Sequence, residues 1–271
     1  MGTADSLADV LRLQDARTGS RAEVKLARPG VLRICAHVPG AGAESGLTAL
    51  RVLLAADLLA RVAELGGLQV LTALATDDPA AGPTAALERD AAELGIHPLT
   101  ARTTSRDAPS SLGGPIDVHL VTKDALDPRL DGLPAVVDTA YLGRTVGRSG
   151  AGEGGLPAGP GRDPLAVRLA LMSFPISLAA SVTGEAVDRA GETLGSWRRQ
   201  VARWAESPSR PMPASIAEAA RAAFSDLDTA AALALLRGLA PDAGVPAGAK
   251  FETFVYADRI LGLDLAREVG R

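Results

Sequence analysis

Cys35 and His37 stand two positions apart in the run Val31 to Val38, VLRICAHV, and they are the side chains of this sequence best suited to chemistry. In an extended chain, residues two apart project from one face of a strand, so a thiol and an imidazole would lie side by side. A cysteine nucleophile needs a lowered pKa and a partner base, which His37 would supply. A zinc ion needs four ligands, or three and a water, and two side chains do not complete it. Otherwise Cys35 is a small buried hydrophobe. His119, in the run Ile116 to Val121, IDVHLV, is the only other histidine expected near a strand, and it reads as a structural histidine. Asp77 and Asp78 follow a second apolar run, LQVLTALAT from Leu68 to Thr76. Carboxylates at the carboxyl end of a parallel strand face the ligand crevice of an open sheet; the same pair before Pro79 also suits a turn.

Between the two runs lies GAGAESG, Gly40 to Gly46, followed by a long helical pattern. A glycine-rich turn from a strand into a helix aims backbone N–H groups and a helix N-terminus at one point, and glycines such as Gly42 and Gly46 let backbone approach a ligand there. The spacing is neither a dinucleotide fingerprint nor a P-loop. Glu44 at the helix start would repel a phosphate, and Arg51 in the helix is the cation that would have to offset it.

The elements that must position these residues follow from periodicity. Leu47, Leu50, Leu54, Leu58, Arg61 and Leu65 mark one side of a helix ending at Gly66 and Gly67, so strand, helix and strand make a right-handed unit of a parallel sheet. Leu87, Ala91 and Leu94 predict a helix closed by Gly95, with further strands at Ile116 to Val121 and Pro134 to Thr139. Residues 1–145 thus read as an open α/β layer, 146–162 as a Gly/Pro-rich loop or linker, and 163–271 as helical throughout. Asp163 should cap a helix with Pro164 at its first position, and Asp228 a later one. Val187, Ala190, Leu194, Trp197, Val201 and Trp204 recur at the three- and four-residue spacings of a packed helix. Together these predict an α-helical bundle after the sheet.

The 271 residues carry a formal net charge of −4, which provides no general field for a polyanion, so strong tRNA or DNA binding is not expected. A single cysteine excludes an internal disulfide and any multi-cysteine zinc site. Arg51, Asp57, Arg61 and Glu64 interrupt the most apolar helix, so no membrane span is expected, and the absence of a signal-like start points to the cytoplasm.

Several segments resemble cysteinyl-tRNA synthetases, class I enzymes, and among these the related ligase that joins cysteine to an amino-sugar in mycothiol biosynthesis. LRLQDARTGSRAEVKLARPGVLRICAHVP is similar to the family opening, with Cys35 in the place of its zinc-binding cysteine. VLTALATDDPA resembles the second strand, ALERDAAELGIHPLTA the segment after it, and RDPLAVRLALMSFPIS, AVDRAGETLGSWRRQVARWAE and FSDLDTAAALALLRGLA the stem-contact helices. The match spans about two-thirds of the chain in the family's order, which one motif alone would not show. The resemblance implies a Rossmann-like sheet of the HUP type and an ATP-dependent activation of cysteine.

The departures fall on the catalytic signatures. The HIGH tetrapeptide would lie on Gly46-Leu47-Thr48-Ala49, so both of its histidines are missing, and the KMSKS position is occupied by GRSGAGEGGLPAGPG, which has no lysine. Lost transition-state charges cost about 3–4 kcal/mol each. With one cysteine and three dispersed histidines, no zinc site of the family's geometry is expected. The reading is therefore a catalytically degenerate synthetase-like protein without an assignable catalytic residue. It keeps a pocket for a nucleotide, ATP or AMP, or for an amino acid or aminoacyl-adenylate-like ligand, lined by Cys35, His37, Gly42, Gly46, Arg51, Asp77 and Asp78. The alternative is an ATP-dependent ligase that activates cysteine or another carboxylate with replacement residues. A third reading is a purely structural partner of a genuine synthetase or of tRNA.

Overall fold

The computed structural model of the protein describes residues 11–38, 45–76, 83–143 and 161–271. It opens on a short antiparallel hairpin, β1 (Arg12–Gln14) and β2 (Arg21–Glu23). The chain then alternates through β3 (Val31–His37), α1 (Ser45–Leu65), β4 (Gln69–Ala75), α2 (Pro83–Glu93), β5 (Ala101–Thr103), α3 (Ala108–Ser111), β6 (Val118–Val121) and β7 (Leu133–Val136). These build a five-stranded parallel sheet in the order β5-β4-β3-β6-β7. The arrangement is the Rossmann-like α/β layer that the alternating pattern predicts. The order reverses beside β3, and open sheets of this kind bind ligands beyond the carboxyl ends of their strands at such a reversal.

The expected strands at Val31, Leu68 and Ile116 form within two residues of their predicted bounds, and the one at Pro134 starts a residue early and stops at Val136, three residues short of Thr139. β5, α3 and the hairpin were not predicted: each is four residues or fewer and too short to show a period.

The most apolar helix shows why no single stripe describes it. Every residue of α1 from Leu47 to Ala60 is buried, the side opposite the predicted stripe included. One side of α1 packs on β3, β4 and β6, and the other meets α2 and a helix from the far end of the chain. A helix apolar on all sides is one covered on all sides.

A second parallel pair, β8 (Ala140–Leu142) with β9 (Ala180–Val182), brackets α4 (Pro164–Met172) in sequence, so the stretch expected to be helical throughout from residue 163 contains a strand, one too short at three residues to show a period. The helices α5 (Gly184–Ala205), α6 (Ala214–Ser225), α7 (Thr229–Leu239) and α8 (Ala247–Leu261) follow. Asp163 caps α4 through Leu165 N at 3.0 Å, with Pro164 at the first position, and Asp228 caps α7 through Ala231 N at 2.9 Å. Trp197 and Trp204, both on α5, meet Phe254 of α8 edge-on at ring-centroid distances of 5.6 and 5.1 Å. Helices α4 and α5 pack together, as do α5 and α8, and α6 and α7. One hydrophobic cluster takes in Leu32 of β3, Leu53 of α1, Leu169 of α4, Leu194 of α5 and Phe254 of α8, so the sheet layer and the helices that follow share a core. Among the described residues, no helix is long and apolar enough to cross a membrane.

Candidate functional site

Residues along β3 alternate between two environments. Leu32, Ile34 and Ala36 join the main core on the α1 side, while Cys35 belongs to a smaller cluster with Ala73, Ala75, Ala108, Leu112 and Ile116 on the other. That second face is covered chiefly by the four-residue helix α3 and the loops around it, because the crossover from β5 to β6 has no long helix. Arg33 lies at the base of this face and is held by Leu112 O at 3.0 Å, while its backbone N–H donates to Asp117 Oδ2 at 2.7 Å.

The register then brings three side chains together. Cys35 pairs with His119 across β3 and β6, and in-register residues of parallel strands project from the same face. His37 sits two positions beyond Cys35 on that face. His37 Nε2 and His119 Nδ1 are 2.9 Å apart, the rings lie 5.1 Å apart centroid to centroid, and one ligand atom from each of Cys35, His37 and His119 lies within 4.8 Å of the others. All three residues are buried. The outer nitrogen of His37, Nδ1, is 3.1 Å from Ser105 Oγ, and the His119 ring also hydrogen-bonds the backbone of Asp131.

The loop carrying Asp131 is fixed from both sides. Gly132, at φ +75, is required there, since a Cβ would stand 2.3 Å from Ile116 O, and Arg17 donates to Gly132 O at 3.1 Å.

Electrostatics make the trio neutral. Burial pushes the Cys35 thiol up to about 12. Burial draws His37 down to about 4 against the opposing pull of Asp127, and burial with the neighbouring His37 draws His119 down to about 4. A thiol so raised is not a primed nucleophile, so the Cys35–His37 pair is not arranged for covalent catalysis. The premise of dispersed histidines does not hold: two of the three converge on the single cysteine. One thiol and two imidazoles are donors that suit zinc-like ions.

The remaining expected residues are Gly42, Gly46, Arg51, Asp77 and Asp78. Gly42, Asp77 and Asp78 lie outside the described residues, as does all but Gly161 and Arg162 of the 146–162 linker. Gly46 is exposed at the start of α1, with no atom of the described residues within 4 Å of where a Cβ would be. Arg51, expected at the crevice, is instead buried and committed to backbone. Its Nη1 donates to Asp138 O, Thr139 O and Leu178 O at 3.1, 3.0 and 2.6 Å, and its Nη2 donates to Pro175 O at 2.7 Å. Burial draws it down to about 10 although Asp138 opposes this. Thr48, in the HIGH position, exchanges 3.0 Å hydrogen bonds with the N–H and carbonyl of Ala140 and so docks α1 on β8. At the carboxyl end of β4, the buried Thr76 Oγ1 has no hydrogen-bond partner among the described residues.

Ser105 and Asp131 were not singled out in the sequence. Nothing local marks them, because their role depends on the β3–β6 register. No family model matches the chain, and no curated protein matches it either.

Proposed function

We propose that the protein is a catalytically degenerate relative of cysteinyl-tRNA synthetases, a HUP-type sheet with a C-terminal helical bundle, which keeps its crevice to bind an adenine nucleotide or an aminoacyl-adenylate-like ligand. The observation that carries this reading is the strand order with its reversal beside β3. That order puts the carboxyl end of β3 and the start of α1 where open sheets take nucleotides. Two features among the described residues support it: the space around Gly46, and the Thr76 hydroxyl at the end of β4, which has no partner among them, since a buried polar group without a partner is one a ligand can satisfy. The commitment of Arg51 to four carbonyls counts against the ligase alternative, which needs a cation for triphosphate.

Calorimetric titration with adenosine, AMP and ATP tests this. All three should bind weakly and within a few-fold of each other, because the adenosine end finds a slot and the phosphates find no compensating charge. Gly46→Val should abolish the heat without lowering the melting temperature. ATP binding far more tightly than AMP, or amino-acid-dependent pyrophosphate exchange above background, would replace this reading with an active ligase.

A further inference from the structure

We infer that Cys35, His37 and His119 form a binding site for one zinc-class divalent metal ion, with three protein ligands and a fourth position left for water or an exogenous donor. The inference goes beyond the nucleotide reading and does not rest on it.

The geometry supplies the argument. Zinc–nitrogen bonds of about 2.0–2.1 Å and a zinc–sulfur bond of about 2.3 Å hold tetrahedral ligand atoms roughly 3.3–3.6 Å apart. The three candidate atoms already lie within 4.8 Å of one another. Closing on an ion therefore needs small side-chain rotations, with the 2.9 Å contact between the two imidazoles opening slightly. The donors come from two adjacent strands in fixed register, so the backbone preorganises them.

The outer partners are the second line of support. A metal-bound histidine nearly always donates its other ring N–H to an oxygen, which sets the tautomer and turns the free lone pair inward. His37 Nδ1 faces Ser105 Oγ, and the His119 ring bonds the Asp131 backbone. When both outer nitrogens donate, His37 Nε2 and His119 Nδ1, 2.9 Å apart, both turn lone pairs inward, where a metal ion can accept them. Without an ion, one of the two rings must instead carry its proton inward.

The donor types also select the ion. Thiolate and imidazole suit zinc, cobalt and similar ions, whereas magnesium and calcium demand oxygen. Binding displaces the Cys35 proton, so the metal–sulfur bond forms as the S–H bond breaks and the proton leaves to solvent.

The test uses the full chain, chelator-treated and then titrated with Co2+ under reducing conditions, with Zn2+ in competition. One Co2+ per chain should bind with tetrahedral visible bands and a near-ultraviolet thiolate-to-cobalt transition, and Zn2+ should displace it while Mg2+ and Ca2+ do not. Because the chain has a single cysteine, that transition assigns Cys35 without any substitution. His37→Ala and His119→Ala should each weaken binding at least 100-fold, Ser105→Ala about 10-fold, and His97→Ala not at all. The inference is overturned if Co2+ produces no thiolate transition, or if the wild type binds no more than His119→Ala does. Neither result bears on the nucleotide titration, which is run without metal.

Discussion

Two buried polar clusters lie on opposite sides of the sheet, and they are built on opposite plans. On the α1 side, the Asp57 carboxylate accepts from Arg168 Nη2 at 2.6 Å, from Arg61 Nε at 2.9 Å and from His97 N at 3.1 Å. Arg168 also donates from Nε to Leu261 O at 2.6 Å and from Nη1 to Leu94 O at 3.1 Å, and the side chains of Asp57 and Arg168 are both 0 % exposed. Each ionised group there is matched with charge and with hydrogen bonds, and the network ties α1 to α4, to the end of α8 and to the turn after α2. On the far side, Cys35, His37 and His119 are uncharged and converge on one another with outer partners only on the rings. A saturated charge network can do nothing further and is architecture. Converging neutral donors still have bonds to make, and that distinguishes a site from a strut.

The largest expected effect comes from breaking the saturated cluster. Arg168→Met would leave the buried Asp57 with only Arg61 and the His97 N–H as partners, and losing one partner of a buried pair costs about 3–5 kcal/mol. Denaturant unfolding should show that loss, with much of it recovered when Asp57→Leu is added. A loss under about 1 kcal/mol would mean that the network is not the strut described here. The same cluster sets an acid limit. Burial alone would raise the Asp57 carboxyl, but Arg168 and Arg61 and the hydrogen bonds from Arg168 and His97 hold it below its usual value. With the folded pKa depressed, the stabilisation is complete above the unfolded value near 4 and is lost as pH falls below it. Unfolding midpoints should drop in that range, more steeply for the wild type than for Asp57→Asn.

Arg51 stands next. Arg51→Met should cost about 2–3 kcal/mol by stranding buried carbonyls, while leaving AMP affinity unchanged. Weaker nucleotide binding at unchanged stability would instead return Arg51 to the crevice and revive the ligase reading.

These residues also show what the sequence could reveal. The sheet was legible because β3 and β4 are each seven residues long and bounded by glycine or polar breaks. The helix caps at Asp163 and Asp228 were legible because capping is local chemistry. The clusters were not. Asp57 and Arg61 look like interruptions of an apolar helix until Arg168, 111 positions from Asp57, is folded against them. Arg51 looks like a free cation for the same reason. Cys35 and His37 were visible as a pair, but the third donor was identified by register, and an error of one residue between β3 and β6 would turn His119 to the α1 face.

The smallest expected effect lies at Cys35, and it separates the two plans most sharply. With metal removed, Cys35→Ala deletes one buried sulfur among alanines and leucines, which by the burial scale costs about 1 kcal/mol. Wild type and variant should then unfold within a few degrees of each other, whereas a strut residue would already have failed. Adding Zn2+ at about 100 times its dissociation constant should raise wild-type stability by about 2.7 kcal/mol, because an ion that binds only the folded state stabilises it by mass action. Cys35→Ala, keeping only the two imidazoles, should gain far less. The comparison therefore turns on the difference between two melting curves with and without Zn2+. If the variant gains as much as the wild type, the thiol is not a ligand. If the metal-free variant fails to fold, Cys35 belongs with Asp57 and Arg168 as architecture.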